Sequence, residues 1–77
     1  MLELYYSETC PFCQKVIKFF RENNIEFVPK EILVRKNYDK LMELGKLAQV
    51  PFLHDTERDG RIYESDDIIG YVKNLLI

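Results

Sequence analysis

The chain has two cysteines, and both stand in one motif, Cys10-Pro11-Phe12-Cys13. Two thiols at this spacing can cycle between dithiol and disulfide, or they can supply half of a metal site. A tetrahedral zinc site needs four ligands, and the chain adds one histidine, His54, to its two cysteines. No metal site within one chain is therefore expected, and His54 reads as an ordinary sheet residue. A helical pattern begins at the motif, with Cys13, Val16, Ile17 and Phe20 at i, i+3, i+4 and i+7. This phase puts Cys13 on the buried face as the resolving thiol and leaves Cys10 exposed as the nucleophile. Cys10 would then meet the positive end of a helix dipole and unpaired N–H groups, both of which favour a thiolate, so it is expected to have the lower pKa. A thiol of pKa ~8.5 is about 3% ionised at pH 7, and lowering that pKa to ~5 raises the thiolate fraction roughly thirtyfold. Over the same shift nucleophilicity falls by about 1.5 log units at a Brønsted slope of ~0.45, so the two effects nearly cancel for attack. What a low pKa improves is departure, because Cys10 becomes a good leaving group when its mixed disulfide is cleaved.

Those thiols need a scaffold. Residues 2–6 form a short apolar run suited to a strand, followed by a loop and a helix from Pro11 to about Asn23. Pro11 loses no hydrogen bond in a first helical turn. Ile25 to Pro29 reads as a second strand, completing a βαβ unit with parallel strands. Residues 30–36 are a charged connection, Asn37 a candidate N-cap, and Tyr38 to about Leu44 a second helix that Gly45 ends. Residues 50–54 form a third strand, Asp59-Gly60 a hairpin turn, and 61–64 an antiparallel fourth strand. Ser65 is placed to cap a last helix over 66–76, with Asp66 and Asp67 in its first turn and Ile68, Ile69, Val72, Leu75 and Leu76 as its buried stripe. The order β-α-β-α-β-β-α, with one four-stranded mixed sheet and three helices, resembles the minimal thioredoxin-like α/β fold.

At 77 residues this is one domain, 1–77, and a CxxC loop is too short to staple it, so apolar burial must hold it. With 47% hydrophobic residues a core is available, while 31% charged residues and no apolar run near ~18 residues argue against a membrane span. A net charge of −2 argues against nucleic acid. The start lacks the basic and apolar regions of a signal peptide, so a cytoplasmic location is expected.

Two further segments bear on chemistry. The Val50–Pro51 bond can be trans, marking a turn, or cis, since cis costs proline little. In the cis form the Val50 backbone would face outward and could pair with a peptide-like substrate. Glu64-Ser65-Asp66-Asp67 is first a helix cap. The same N-terminus can bind a carboxylate through free N–H groups while a neighbouring side-chain carboxylate pairs with an ammonium, as a γ-glutamyl head group would require.

With these residues together, the chain resembles the glutaredoxins over essentially its whole length. Tyr6-Ser7-Glu8-Thr9-Cys10-Pro11-Phe12-Cys13 is similar to the family's active-site segment, with Phe12 where Tyr is usual. Val50-Pro51 is similar to its cis-proline element, and Ser65-Asp66 to its γ-glutamyl site. The resemblance implies glutathione as reducing co-substrate, with no resident metal. It implies that Cys10 attacks disulfides of proteins and of glutathionylated proteins. Phe12 would flank the glutathione sulfur, Val50 beside Pro51 would pair with the cysteinyl backbone, and Ser65 and Asp66 would hold the γ-glutamyl end. A monomer is expected. Ser7 stands where a lysine is frequent, so a cation for the glycine carboxylate must come from elsewhere, with Lys46 and Arg35 as candidates. Ile62-Tyr63-Glu64 replaces a usual Gly-Gly, Gln49 a usual Thr, and one extra residue separates Gly45 from Val50. Glu64-Ser65 is similar instead to the Glu-Ser of glutathione-transferase N-terminal domains. Two alternatives accompany the disulfide reductase: an electron donor reduced by thioredoxin reductase, and a glutathione-dependent iron–sulfur cluster carrier. Pro11 counts against the carrier, because the cluster carriers it resembles generally have Gly there. A transferase would need a helical second domain beyond these residues and is not expected.

Overall fold

The computed structural model describes residues 1–76. Leu2–Tyr6 forms strand β1, and Pro11–Glu22 forms helix α1, whose inner face buries Cys13, Val16, Ile17 and Phe20. Strand β2 follows at Val28–Glu31, helix α2 at Arg35–Gly45, strands β3 and β4 at Phe52–Asp55 and Gly60–Tyr63, and helix α3 at Ser65–Leu75. The strands lie in the order β2-β1-β3-β4, with β1 parallel to β2 and the other pairs antiparallel. This is the expected thioredoxin-like arrangement. Among the described residues no helix is long and apolar enough to cross a membrane.

Strand alternation divides the core in two. Leu4 and Leu53 face α1 and α3, where they pack with Val16, Ile17, Phe20, Ile68 and Val72. Tyr5 and Phe52 face the other way and pack with Leu41 of α2. Each fully buried large side chain is worth about 1.5–3 kcal/mol. A core on both faces lets so short a chain hold its sheet without a disulfide.

Several boundaries differ from the sequence reading. Strand β2 starts at Val28 instead of Ile25, because the turn after α1 is longer than expected: Asn24 adopts a left-handed φ of 54° and the Ile25 N–H bonds back to the Phe20 carbonyl. Helix α2 begins at Arg35, before Asn37. The Val34 carbonyl accepts the first helical bonds, and the Asn37 side chain donates to the Glu31 carbonyl at 3.0 Å, tying α2 to β2. Strand β3 begins only at Phe52, leaving Val50 and Pro51 ahead of the ladder. Glu64, not Ser65, is the N-cap of α3; Ser65 is its first helical residue and makes no side-chain cap bond. At the other end of that helix Leu76 is exposed, so the buried stripe stops short of it. In the hairpin Asp59 takes the left-handed conformation (φ 54°) while Gly60 opens β4. A methyl group on Gly60 would lie 2.6 Å from the Tyr71 hydroxyl, so close approach requires a glycine there.

Candidate functional site

The loop after β1 delivers Cys10 to the N-cap of α1. Its N–H donates to the Ser7 carbonyl (3.2 Å), and its own carbonyl accepts the Gln14 N–H (3.1 Å). No acidic side chain occupies the first turn of α1, so the positive end of the helix dipole is left to the Cys10 sulfur. Cys10 is half-buried where the sequence reading had it exposed, while Cys13 is fully buried as its phase required; both are free thiols. The cover over Cys10 comes from the segment before β3: its Sγ–H points at the Val50 carbonyl at 3.9 Å. Burial, only partly offset by a backbone hydrogen bond from Ser7, pushes the Cys13 thiol up to about 12, with Cys10 and Glu31 adding to the rise. Cys13 is therefore protonated at neutral pH.

The Val50–Pro51 bond is cis. Phe12, Gln49, Val50, Pro51, Glu64, Ser65 and Asp66 line one open groove of about 340 Å³. Chain segments about fifteen and forty residues apart thus converge, and Phe12, Val50, Pro51, Ser65 and Asp66 all lie along this one groove. Phe12 is 64% exposed, so its ring is a free wall of the groove and no part of the core. A larger cleft of about 630 Å³ opens beside Met1, Leu2, Ile25 and Phe27. Neither thiol lines either opening, but the smaller groove includes Phe12 of the dithiol motif and Val50, whose carbonyl Cys10 contacts.

The charged wall of the groove differs from the sequence reading. Lys15, one turn into α1, makes an ion pair with Asp66 of α3, so Asp66 already holds an ammonium. Neither Arg35 nor Lys46 lines the groove, and the Arg35 guanidinium bonds Asp39 at 2.9 Å. Glu64 has φ 70° and ψ 129°, a conformation that side-chain-bearing residues avoid at a cost of ~1–3 kcal/mol. Its carboxylate accepts the Gln49 amide at 2.8 Å, which joins the start of α3 to the segment carrying Val50.

Lys15 was not singled out from the sequence, and Gln49 and Tyr63 entered only as departures from the family pattern, without a role. No local pattern pairs Lys15 with a residue fifty-one positions away. The hairpin register does set Tyr63 opposite Phe52, and that pairing was open to derivation. Among the described residues no three His, Cys, Asp or Glu side chains gather as a metal site.

Residues 4–75 match the family model described as glutathione S-transferase, N-terminal domain. A glutaredoxin-like 8.6 kDa protein in the rubredoxin operon of Clostridium pasteurianum is 30% identical over 74 residues, 95% of this chain and 88% of the relative. Glutaredoxin 2 from Salmonella typhimurium, solved in complex with glutathione, superposes with a TM-score of 0.81 at 29% identity, over 97% of this chain and 34% of that one. Human glutathione-S-transferase T1-1 in its apo form gives a TM-score of 0.80 at 28% identity, over 96% of this chain and 31% of the transferase. The chain thus spans about a third of each of these two structures, in contrast to nearly all of the clostridial protein. With the dithiol, the cis Val50–Pro51 bond and the Glu64-Ser65 turn in place, the chain belongs to the glutathione S-transferase N-terminal domain family, as a glutaredoxin-like protein of the thioredoxin fold.

Proposed function

We propose that this protein is a disulfide oxidoreductase that uses glutathione as its reductant. The observation that carries the reading is the placing of the Cys10 thiol, 3.9 Å from the Val50 carbonyl, beside the groove that Phe12, Ser65 and Asp66 share. As a thiolate, Cys10 attacks one sulfur of a glutathionylated protein, forming a Cys10–glutathione disulfide and releasing the protein thiolate, which takes a proton. A second glutathione thiolate attacks that disulfide, giving oxidised glutathione and returning Cys10. With a protein disulfide, Cys10 attacks one sulfur and releases the other as a thiolate. Cys13 then loses its proton and attacks the Cys10 sulfur, releasing the second protein thiolate, and both thiolates take protons. Two glutathiones reduce the Cys10–Cys13 disulfide, leaving as oxidised glutathione. The N–H groups at the start of α3 suit the γ-glutamyl carboxylate, and the carboxylates of Glu64 and Asp66 its ammonium. The exposed Phe12 ring would cover the sulfur. The glutathione bound to the Salmonella glutaredoxin supports the choice of thiol.

The test is turnover of a glutathionylated peptide by purified protein with glutathione, glutathione reductase and NADPH. NADPH oxidation that requires both protein and glutathione is expected. One observation favours a second reading. The two carboxylates on the groove wall, Glu64 and Asp66, repel the carboxylates of glutathione, which suits an electron donor recharged by a reductase protein. Turnover with thioredoxin reductase and none with glutathione would select that reading and sink the first.

A further inference from the structure

We infer that Tyr63 is a positioning residue that fixes the segment from Leu47 to Val50 and thereby sets where Val50 stands relative to Cys10. One phenol does this with both of its hydrogen-bonding capacities. The Tyr63 hydroxyl donates to the Leu47 carbonyl at 2.8 Å and accepts the Leu47 N–H at 3.2 Å. Its ring packs on Phe52, the first residue of β3, with centroids 4.6 Å apart. Tyr63 thus grips both ends of the stretch between α2 and β3, while its neighbour Glu64 takes Gln49 in the middle. Without these contacts the stretch would have little to hold it: residues 46–49 are exposed and belong to no strand. Gly45 belongs to the same device. A methyl group there would overlap the Tyr63 hydroxyl and ring, so this glycine, still helical, seats the tyrosine. The left-handed turn that ends α2 falls to Lys46 (φ 67°) and not to the glycine expected to stop it.

The kinetic consequence rests on the disulfide-exchange reading above; the mechanical one does not. Tyr63→Phe keeps the ring and removes the clamp. Losing two exposed hydrogen bonds, each at the low end of the ordinary range, is expected to raise the KM for glutathione roughly fivefold, with kcat held within about twofold. Gly45→Ala separates clamping from general stability. The overlap costs stability whatever the phenol does, so a purely structural role predicts a less stable protein with an unchanged KM. A clamp predicts a raised KM, and a Gly45→Ala/Tyr63→Phe double variant no worse than the poorer single one, because both break one contact. Amide hydrogen exchange supplies a readout that needs no turnover: the Leu47 N–H should exchange roughly fivefold faster in Tyr63→Phe while core amides of β1 are unchanged. A Tyr63→Phe protein with wild-type KM and wild-type Leu47 exchange overturns the inference. Failure of the wild-type protein to turn over glutathione overturns the functional reading alone, and the Leu47 exchange rate then decides the clamp.

Discussion

The two ends of the sheet treat polar groups in opposite ways. At one end Asp55 closes β3, fully covered, and its carboxylate accepts from the Tyr71 hydroxyl at 2.7 Å, Arg58 at 3.1 Å and the Glu57 N–H at 3.1 Å. At the other end, α1 starts with no side-chain cap at Cys10 and α3 with none at Glu64, and Cys10 has only a long contact to a carbonyl. Large apolar side chains follow the same division. Phe12, Leu33, Val34 and Leu47 are exposed on elements that meet the dithiol end, and among the described residues the other exposed large apolar side chains are Met1 and Leu76, near the chain ends. Burial acts alike on Cys13 and Asp55, raising both, yet the outcomes diverge. Cys13 stays neutral, while the donors around Asp55 overcome burial and hold its carboxyl below the ordinary carboxylate range. A completed shell marks the Asp55 end, while the dithiol end keeps two uncapped helix starts and a half-buried thiol with one long contact.

The division breaks most sharply at Cys10. Cys10→Ser should abolish turnover of both glutathionylated and protein disulfides, a loss of at least ~10³-fold, with thermal stability close to wild type because the residue is half-buried and has no strong partner. Cys13→Ser should keep turnover of glutathionylated peptide, which needs one thiol, and lose reduction of a protein disulfide that needs two. Activity surviving in Cys10→Ser would mean that the open end is not the reacting end.

At the Asp55 end the effect falls on stability. Asp55→Ala leaves the Tyr71 hydroxyl and the Glu57 N–H unpaired and should cost about 2 kcal/mol in urea unfolding at pH 7, with catalysis by the remaining folded protein unchanged. The signs of the pH limbs follow from the two shifts. The folded Asp55 carboxyl is depressed, so its contribution is present above the unfolded value near ~3.9 and is lost as pH falls through the folded value. The folded Cys13 thiol is raised to about 12, so its contribution is intact below ~8.5 and is lost as pH climbs from there. Asp55→Asn should therefore flatten the acid limb of a stability–pH curve, and Cys13→Ala the alkaline limb. An acid limb unaltered in Asp55→Asn would show that the completed shell contributes nothing through its charge.

Much of this division was legible in the sequence. The phase of Cys13 with Val16, Ile17 and Phe20 put one thiol inside and one at the helix start, and the five residues that the family resemblance named lie along one groove. Capping residues misled for two reasons. Asn37 and Ser65 have side chains that suit a cap, but Asn37 reaches the Glu31 carbonyl instead, and Ser65 is buried inside the first turn of α3, one residue past the cap position that Glu64 takes. The Asp55 shell was missed because its members, Arg58 and Tyr71, meet only after the hairpin and α3 have packed. The strained Glu64 was noticed as a missing glycine, but its partner Gln49 lies across the groove, and no periodicity connects strand ends through space.

Asp66 tests the contrast where it is finest. It lies at the open end, yet Lys15 already partners it, so it stands between the completed shell of Asp55 and a free carboxylate. Lys15 and Asp66 side chains are 51% and 81% exposed, and a pair so open is worth ~0–1 kcal/mol. Lys15→Met should therefore move the unfolding free energy by less than ~0.5 kcal/mol. Its effect should fall on the ligand. With Lys15 gone, Asp66 is free for the γ-glutamyl ammonium, and the KM for glutathione should fall roughly twofold at low ionic strength, the difference fading in high salt as screening removes it. A rise in KM would mean that Lys15 serves the ligand's carboxylate more than it occupies Asp66. The ion pair would then be part of the binding surface, with Lys15 as the cation that the sequence reading sought at Lys46 or Arg35.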